Sequence, residues 1–465
     1  MTVARHAIIG AGISGLVAAY RLRQRLGEDA VIDVYEATDR AGGVLRTTEV
    51  GGNRVDVGAE AFIVRRPEAL ALVRELGLAA YVAHPTGRRP AIWARGRLHP
   101  LPTPALMGIP AGVEAVAGLV DDADLARIAD EADRPFAWTP GTEPSVGELV
   151  GDRFGPSVLT RSVDPMLGGV YSSLAGDIGL REAVPALAAR LDAGAASLSG
   201  AVRDVLRSGG GSGPVFGTLT GGYRLLVDAL LAAGSPNLLR DMPVEAVIGD
   251  GGRWVLRTAA DGRAYDGVIV AVPAWTAGAL LREAAPEAAT LLRAVEPASS
   301  AVVSIALAPR TPLPDHSGVL VATGEGLRAK AFTFSAQKWP HLAGDGRAVS
   351  VRVSFGRYGD PVPAPEHAPD IDDRLRAHAL ADLDEVRAAA GIAAPSRDVV
   401  DAVVQHWTGG LPRYAPGHLV RMTRVGAALP AGLAVAGSSY AGVGVPACIG
   451  QAGRAAARLL GVRGE

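Results

Sequence analysis

Three glycines near the start of the chain, Gly10, Gly12 and Gly15, constrain the fold more than any other feature. They lie between an apolar run at residues 7–9 and a helical pattern of apolar residues that begins at Leu16. The first glycine permits a tight turn, the second lets the backbone approach a pyrophosphate, and the third lets a helix pack against a strand. The segment therefore predicts the first strand, loop and helix of a dinucleotide-binding sheet.

A carboxylate follows these glycines at the distance that an adenosine ribose requires. The apolar run 30–35 ends at Glu36, which is 21 positions after Gly15. A carboxylate at the end of a second strand accepts both ribose hydroxyls, and it repels the 2′-phosphate of NADP. A glycine-rich turn that binds nothing is the alternative. Strand, glycines, helix, strand and acid in this order favour a bound dinucleotide.

A second pair of glycines identifies which dinucleotide is expected. Arg40, Gly42 and Gly43 follow Glu36 at the spacing typical of proteins in which FAD, rather than NAD, lies across the sheet. The glycines let the chain pass close to the pyrophosphate and the ribityl chain, and the guanidinium helps to neutralise the phosphates. An ordinary Gly-Gly turn is the alternative, which the preceding motif disfavours. We therefore expect FAD as the cofactor.

Length, charge and cysteine content limit the class of protein. A chain of 465 residues is too long for one ordinary core, and its net charge of −2 argues against nucleic-acid binding. The single cysteine, Cys448, excludes an internal disulfide and a cysteine-bound zinc site, and we predict no metal site. No secretory leader and no apolar run of ~18 residues is visible. We expect a cytoplasmic protein without a transmembrane segment, and a peripheral membrane contact stays open.

The pattern along the chain predicts an α/β fold with three units. Strand and helix alternate up to about residue 80, prolines and helical segments follow, and strand-like runs return later. We assign a discontinuous Rossmann-like FAD-binding domain to residues 1–84, 215–296 and 401–465. A largely helical domain is assigned to 85–214, and an α+β substrate-binding domain to 297–400.

Five sequence blocks resemble the flavin-dependent porphyrinogen oxidases, which act on protoporphyrinogen or coproporphyrinogen in haem synthesis. In chain order the blocks are VDVGAEAF at 55–62, GRLHPLP at 96–102, FGTLTGG at 216–222, KWPH at 338–341 and GSSYAGVGVP at 437–446. They occur in order through most of the chain. Ala59 and Ala61 depart from the pattern because proline and serine are commoner there, which leaves the local loop shape in doubt.

The resemblance implies which residues contact FAD, and each is named by its match to the family pattern. They are Gly10, Ala11, Gly12, Ile13, Ser14, Gly15, Glu36, Ala37, Arg40, Gly42, Gly43, Gly58, Ala59, Glu60, Ala61, Val244, Trp407, Gly437, Val443, Gly444 and Val445. For Trp407, a core aromatic is the alternative. The glycine-rich loop before the last helix is suited to the flavin because its N–H groups stabilise negative charge on the reduced ring.

The substrate that the resemblance implies is a broad apolar macrocycle with propionates, so its pocket requires a few cations. Arg88 and Arg89 match a basic position that meets a propionate in related proteins, and exposed loop arginines are the alternative. We expect Lys330 and Lys338, the only lysines of the chain, to be exposed. No catalytic side chain is predicted, because the flavin itself takes the hydride.

The reaction that the resemblance implies is the six-electron oxidation of coproporphyrinogen III to coproporphyrin III, with dioxygen as acceptor and hydrogen peroxide as product. Arginine-rich composition suggests a high-GC organism, and the resemblance implies coproporphyrinogen III rather than protoporphyrinogen IX as the usual substrate of relatives in high-GC Gram-positive bacteria. Protoporphyrinogen oxidation is the first alternative, followed by a flavin amine oxidase and a non-catalytic carrier of FAD or porphyrin. A transient contact with a downstream chelatase stays open.

Overall fold

A five-stranded parallel sheet, here called the nucleotide sheet, forms the centre of the fold. The computed structural model describes residues 4–209, 213–260, 262–344, 346–393 and 398–462. In spatial order the strands of this sheet are Asn237–Leu239, Val31–Tyr35, Arg5–Ile9, Gly267–Val270 and Leu433–Val435. The two strands expected beside the glycines are present within a residue or two of the predicted positions.

Helices cover both faces of the nucleotide sheet, because successive strand residues enter two different cores. One face packs against Ile13–Leu26, Pro67–Glu75, Arg224–Gly234 and Val445–Leu459. The other face packs against Ala274–Leu280, Pro286–Arg293 and His418–Ala428. This doubly covered parallel sheet confirms the predicted α/β class with a Rossmann-like nucleotide domain.

The first helix lies tightly against the first strand at Gly15. A Cβ atom there would overlap the carbonyl oxygen of Gly10 and lie 3.2 Å from the Ile8 side chain. The helix begins after Gly12, which has extended backbone, and ends at Gly27, whose φ of 78° stops it. Glycine at position 15 is therefore a requirement of helix–strand packing, as the sequence predicted.

A seven-stranded mixed sheet, here called the large sheet, forms the second sheet layer. In spatial order its strands are Val399–Pro412, Pro297–Leu307, Val349–Phe355, Ala331–Thr333, Gly318–Val321, Ala91–Ala94 and Arg97–Pro100. One face buries its apolar residues against the helix Ile371–Ala389. The opposite face meets the hairpin of strands Thr47–Val50 and Asn53–Asp56. The hairpin and the large sheet therefore share a small core.

The region between residues 105 and 208 is mainly helical and has a core of its own. Its helices are Asp122–Ala129, Val146–Phe154, Pro156–Val158, Asp164–Tyr171, Leu180–Ala183, Pro185–Asp192 and Leu198–Ser208. Glu131, fully buried, pairs with Arg153 at 2.9 Å and accepts N–H groups of Leu198 and Ser199. The ion pair therefore joins three segments of this helical region.

Short elements connect these layers. The remaining strands are Phe62–Ile63, Val82–Ala83, Ala105–Leu106, Ile109–Pro110, Phe216–Leu219, Ala246–Asp250, Arg253–Arg257 and Ala264–Tyr265. Short helical turns lie at Ala79–Tyr81, Val113–Ala115, Glu131–Asp133, Leu159–Val163, Ala175–Asp177, Ser335–Lys338 and Pro340–Leu342. Within the described ranges, no helix is both long and apolar enough to cross a bilayer.

The strand pairing differs from the predicted domain boundaries in two places. The 14-residue strand Val399–Pro412 pairs along Pro297–Leu307, so residues 401–412 belong to the large sheet rather than to the FAD-binding domain. Ala91–Ala94 and Arg97–Pro100 also join the large sheet, although they were assigned to the helical domain. Both differences have one cause, since strand partners distant in sequence leave no local signal. The division into three units remains a proposal.

Candidate flavin site

Two glycine segments lie side by side at the carboxyl ends of the nucleotide-sheet strands. The Gly42 N–H donates to the Ala11 carbonyl at 2.8 Å, and Gly12 and Gly42 form a parallel bridge. A Cβ atom on Gly43 would lie only 3.1 Å from the Cα of Gly12. The predicted phosphate loop and the predicted second glycine pair are thus brought together.

The space beside Gly12 fits a pyrophosphate. A Cβ atom built there would meet only the Cα of Gly43, at 3.9 Å, so the backbone borders open space. The helix that follows has no acidic residue in its first turn, and Gly12 provides no side chain to cap it. Its first N–H groups and the positive end of its dipole are therefore suited to a phosphate.

The carboxylate of Glu36 is held in place beside this loop. Its Oε2 accepts the Ala11 N–H at 2.9 Å, and its Oε1 accepts the N–H and the hydroxyl of Thr38 at 3.0 and 2.8 Å. The Glu36 carbonyl accepts the N–H of Met242, which brings the predicted adenine contact at Val244 to the same end of the sheet. Glu36 therefore lies beside the phosphate loop, and its contact with a ribose remains a prediction.

The Arg40 side chain stabilises the Gly42–Gly43 turn that follows it. Its Nη2 donates to the Gly43 carbonyl at 2.6 Å, and burial together with the charge of Arg46 lowers the pKa of its guanidinium. Ala37 is exposed next to Glu36. The guanidinium lies within the Gly42–Gly43 turn, and its contact with a phosphate remains a prediction.

Trp407 supports the predicted loop at residues 58–61 from the large sheet. Its indole Nε1 donates to the Val57 carbonyl at 3.0 Å, and a Cβ on Gly58 would lie 2.9 Å from its ring. The Ala59 N–H donates to the Val44 carbonyl at 3.3 Å. Ala61 packs against the small core that contains Trp407. Through these contacts, Trp407 helps to fix the position of the loop at residues 58–61.

Glu60 forms the centre of a largely buried cluster that joins the loop at residues 58–61 to the large sheet. Its carboxylate accepts the Ser335 hydroxyl at 2.6 Å and Lys338 Nζ at 2.8 Å, and Arg352 lies 3.5 Å away. Arg352 also donates to the Gly58 carbonyl at 2.6 Å. Burial alone raises the pKa of Glu60, but Lys338 and Arg352 outweigh it and lower the pKa to about 2. Glu60 is therefore ionised and bound by protein cations.

The expectation that both lysines are exposed is wrong. The Lys338 side chain is only 20% exposed and lies over the Trp339 ring at 4.9 Å. Lys330 donates to the Ser172 hydroxyl and to the Gly356 carbonyl, each at 2.6 Å, and burial lowers its pKa to about 7. Both lysines connect distant segments, and such long-range pairing is not visible in local sequence.

The C-terminal glycine loop, residues 437–444, follows the edge strand Leu433–Val435 and precedes the helix Val445–Leu459. Gly437 leaves the strand with a φ of 146°, and Gly444 caps the helix. Val443 packs against the helical-region core, and the helix packs on Ile13–Leu26. The structure thus joins this loop to the phosphate loop through two helices in contact.

Arg88 and Arg89 do not lie against either glycine loop. Arg88 pairs with the exposed carboxylate of Asp315 at 2.7 Å. Arg89 is exposed, and its backbone carbonyl accepts the Ser317 N–H at 3.2 Å. Arg88 and Arg347 line an open cavity of about 630 Å³ that shares no lining residue with the predicted flavin loops. The geometry gives these two arginines no added support as substrate contacts.

Arg66 is a candidate that the sequence did not reveal. A Cβ built on Gly442 would lie 3.6 Å from its Nη1, so the guanidinium reaches the C-terminal glycine loop. Burial raises the pKa of Tyr171, and the charge of Arg66 opposes this, which places the guanidinium near that ring. Among the described residues, no carboxylate forms an ion pair with Arg66. The sequence signal, an arginine before a proline-initiated helix, is too common to single it out.

Comparison with known proteins identifies the class of this protein. The sequence model of the family described as "Flavin containing amine oxidoreductase" matches residues 13–460. The chain therefore belongs to this family of flavin oxidoreductases, and FAD is its cofactor, as predicted.

Individual relatives narrow the comparison further. A protein of Mycobacterium tuberculosis named coproporphyrinogen III oxidase is 48% identical over 461 residues, which cover 99% of this chain and 98% of that protein. A Mycobacterium leprae protein of the same name is 46% identical, with 98% of each chain covered. A solved structure from Exiguobacterium, named putative protoporphyrinogen oxidase, superimposes with a TM-score of 0.84 at 26% identity and covers 97% of both chains. The predicted resemblance to porphyrinogen oxidases is thereby confirmed.

The space at Gly12 generates a prediction about flavin binding. Gly12→Val should give a folded protein that lacks flavin, because its Cβ would have only an ordinary contact with the Gly43 Cα at 3.9 Å, while the side chain would occupy the proposed pyrophosphate space. Gly15→Ala should instead destabilise the protein, because its Cβ overlaps the Gly10 carbonyl. Visible absorbance and thermal unfolding separate the two effects. Retained flavin in a folded Gly12→Val protein would contradict the assigned loop.

The buried cluster generates a pH-dependent prediction. Glu60→Gln should reduce the free energy of unfolding at pH 7 by about 3 kcal/mol, because it leaves two cations buried without their partner. Since the folded pKa of Glu60 is lowered from 4.5 to about 2, its contribution is complete above pH 4.5 and decreases as the pH falls towards 2. Denaturant unfolding at several pH values measures the difference between the two proteins. A difference that grows below pH 5 would be inconsistent with an ionised Glu60.

Proposed function

We propose that this flavin oxidoreductase is an oxygen-dependent coproporphyrinogen III oxidase. The observation that carries the proposal is the 48% identity, over nearly the whole length of both chains, to a protein with that name. The reaction removes six electrons and six hydrogens from coproporphyrinogen III in three two-electron steps. Three molecules of dioxygen are reduced to three of hydrogen peroxide, so atoms and electrons balance.

FAD, when bound, supplies the hydride acceptor and passes the electrons on to dioxygen. The chain would hold it by the paired glycine loops at Gly12 and Gly42, by the Glu36 carboxylate at the ribose, and by the C-terminal loop at Val443 along the ring. Arg40 would keep the second glycine turn in shape. The contribution of the protein to the rate is then orientation and exclusion of water.

Apolar side chains at the margin of the helical-region core are consistent with a macrocyclic substrate. Val443 and Leu320 both pack at the margin of the helical-region core. A Cβ on the exposed Gly169 would lie 3.5 Å from the Leu320 side chain, and its neighbour Val170 is 43% exposed. These residues would offer an apolar wall to a flat ring system, which is the kind of surface that such a ligand needs.

Arg66 is our proposed contact for a substrate propionate, because its guanidinium reaches the same loop at Gly442 and forms no ion pair with a carboxylate of the described residues. A guanidinium binds a carboxylate through two parallel hydrogen bonds. Arg88 and Arg89 remain the alternative that the resemblance implies.

The histidines near the sequence blocks have structural contacts, which is consistent with chemistry that needs no side-chain base. A ring nitrogen of His99 lies 3.1 Å from the Ala94 carbonyl, and His406 lies 2.7 Å from the Asp372 carboxylate. Burial lowers the pKa of His341, whose ring centroid lies 6.4 Å from that of Trp339. We propose that the pyrrole protons leave to solvent, while a cytoplasmic location and a chelatase contact remain predictions.

Protoporphyrinogen IX is the second candidate substrate, which the name of the Exiguobacterium structure favours. A porphyrinogen assay separates the two. The purified holoprotein is incubated in air with each porphyrinogen, and porphyrin fluorescence and peroxide are followed with time. We expect a higher kcat/KM for coproporphyrinogen III and about three peroxides per porphyrin. A higher value for protoporphyrinogen IX would reverse the choice, and flavin-loaded protein that forms neither product would defeat the enzyme proposal.

The two arginine hypotheses predict opposite results. Arg66→Gln should raise the KM for coproporphyrinogen III about tenfold, because one charge-assisted contact is worth about 1.4 kcal/mol, and flavin content should stay unchanged. Arg89→Gln is the matched control and should leave the KM unchanged. If only Arg89→Gln raises the KM, the propionate lies at the position that the resemblance implies.

A further inference from the structure

The C-terminal glycine loop is held by one buried hydroxyl group outside the loop. The Tyr414 hydroxyl donates to the Ser438 carbonyl at 2.6 Å and accepts the Gly442 N–H at 2.8 Å. These two partners lie four residues apart, one near each end of the loop. Gly442 has a φ of 125°, so the backbone there has few conformational restraints of its own. The hydroxyl therefore links the two ends of the loop by hydrogen bonds.

The ring of Tyr414 is itself fixed by the helical region. The side chain is buried, and its centroid lies 5.7 Å from that of Tyr171 and 4.3 Å from that of His418. The Tyr414 carbonyl accepts the Gly179 N–H at 2.9 Å. The hydroxyl is thus held from several sides, which is the condition for a group that determines the position of another segment.

His418 contacts the same loop one residue further along, at Ser439. Its Nε2 lies 2.6 Å from the Ser439 carbonyl, and burial lowers its pKa to about 4. The imidazole is therefore neutral at pH 7, and the tautomer that carries a proton on Nε2 donates to this carbonyl. Two consecutive carbonyls, at Ser438 and Ser439, thus accept hydrogen bonds from side chains of one short segment.

We propose that Tyr414 is a positioning residue for the flavin ring, acting through the C-terminal glycine loop. The inference rests on the proposal that this loop lies along the ring. With the hydroxyl in place, the Ser438 carbonyl and the Gly442 N–H are both held, so the backbone from Gly442 to Val445 would offer its N–H groups to the ring in one arrangement. Without it, the Gly442 N–H and the Ser438 carbonyl lose their partner, and the loop takes up several arrangements.

The chain offers a matched control in the same loop. The Tyr440 side chain is 7% exposed, and its hydroxyl has no hydrogen-bond partner in the part of the chain that the structure describes. Tyr414→Phe and Tyr440→Phe therefore remove the same atom from two buried tyrosines, but only the first removal breaks hydrogen bonds to the loop. Val353→Ala, in the core of the large sheet, serves as a third variant that lowers stability away from the flavin.

The experiment measures FAD binding and the midpoint potential of the bound flavin, with no porphyrinogen present. Tyr414→Phe should raise the FAD dissociation constant about tenfold and make the midpoint potential more negative, because the N–H groups no longer stabilise the reduced ring. Tyr440→Phe and Val353→Ala should match the wild type in both quantities. Equal values for Tyr414→Phe and Tyr440→Phe would overturn the proposal.

A measurement on the unaltered holoprotein covers the case in which Tyr414→Phe does not fold. Amide hydrogen exchange at Gly442 should be slow, although the residue lies outside helices and strands, because its N–H is bonded to a buried hydroxyl. Exchange as fast as that of an exposed loop amide would refute the inference. Since neither measurement uses substrate, both outcomes are independent of whether the protein oxidises coproporphyrinogen III.

Discussion

The close packing of the first helix on the first strand, made possible by Gly15, determines the geometry of the whole cofactor site. It places the start of the helix directly above the end of the strand, where Gly12 borders open space. The second glycine turn at Gly42 is then hydrogen-bonded to the same loop. The C-terminal helix packs on the first helix, so the loop that precedes it is positioned by the same contact.

Buried polar and ionic side chains also join the layers of the structure. Glu60, Lys338 and Arg352 connect the loop at residues 58–61 to the large sheet, and Lys330 connects the large sheet to the helical region. The opposite charges of the Glu60 cluster offset the cost of removing them from water, whereas Lys330 donates to neutral oxygen atoms. These contacts set the relation between the layers around the space where flavin and substrate would meet.

The local parts of the fold could be predicted from sequence. The glycine spacing and Glu36 located the nucleotide sheet and its first helix, because each signal spans few residues and has a direct steric or electrostatic cause. The family blocks indicated the class of enzyme. The nucleotide-sheet signal and the family blocks are both short-range patterns, which can be read directly from a single sequence.

Contacts between distant segments could not be predicted in the same way. The pairing of Val399–Pro412 with Pro297–Leu307 assigned a predicted FAD-domain segment to the large sheet. The burial of Lys338, the approach of Arg66 to Gly442, and the hydrogen bonds of Tyr414 depend equally on tertiary structure. In each case the residue type allows several environments, and only the folded chain selects one.

The strand Val399–Pro412 has a mechanical consequence. It carries Trp407, which supports the loop at Gly58, and it ends two residues before Tyr414, which closes the C-terminal glycine loop. One continuous edge strand therefore connects the large sheet to two loops that are far apart in sequence, the loop at Gly58 and the C-terminal glycine loop. A displacement of this strand would alter both loops at once, so their positions are coupled through the large sheet.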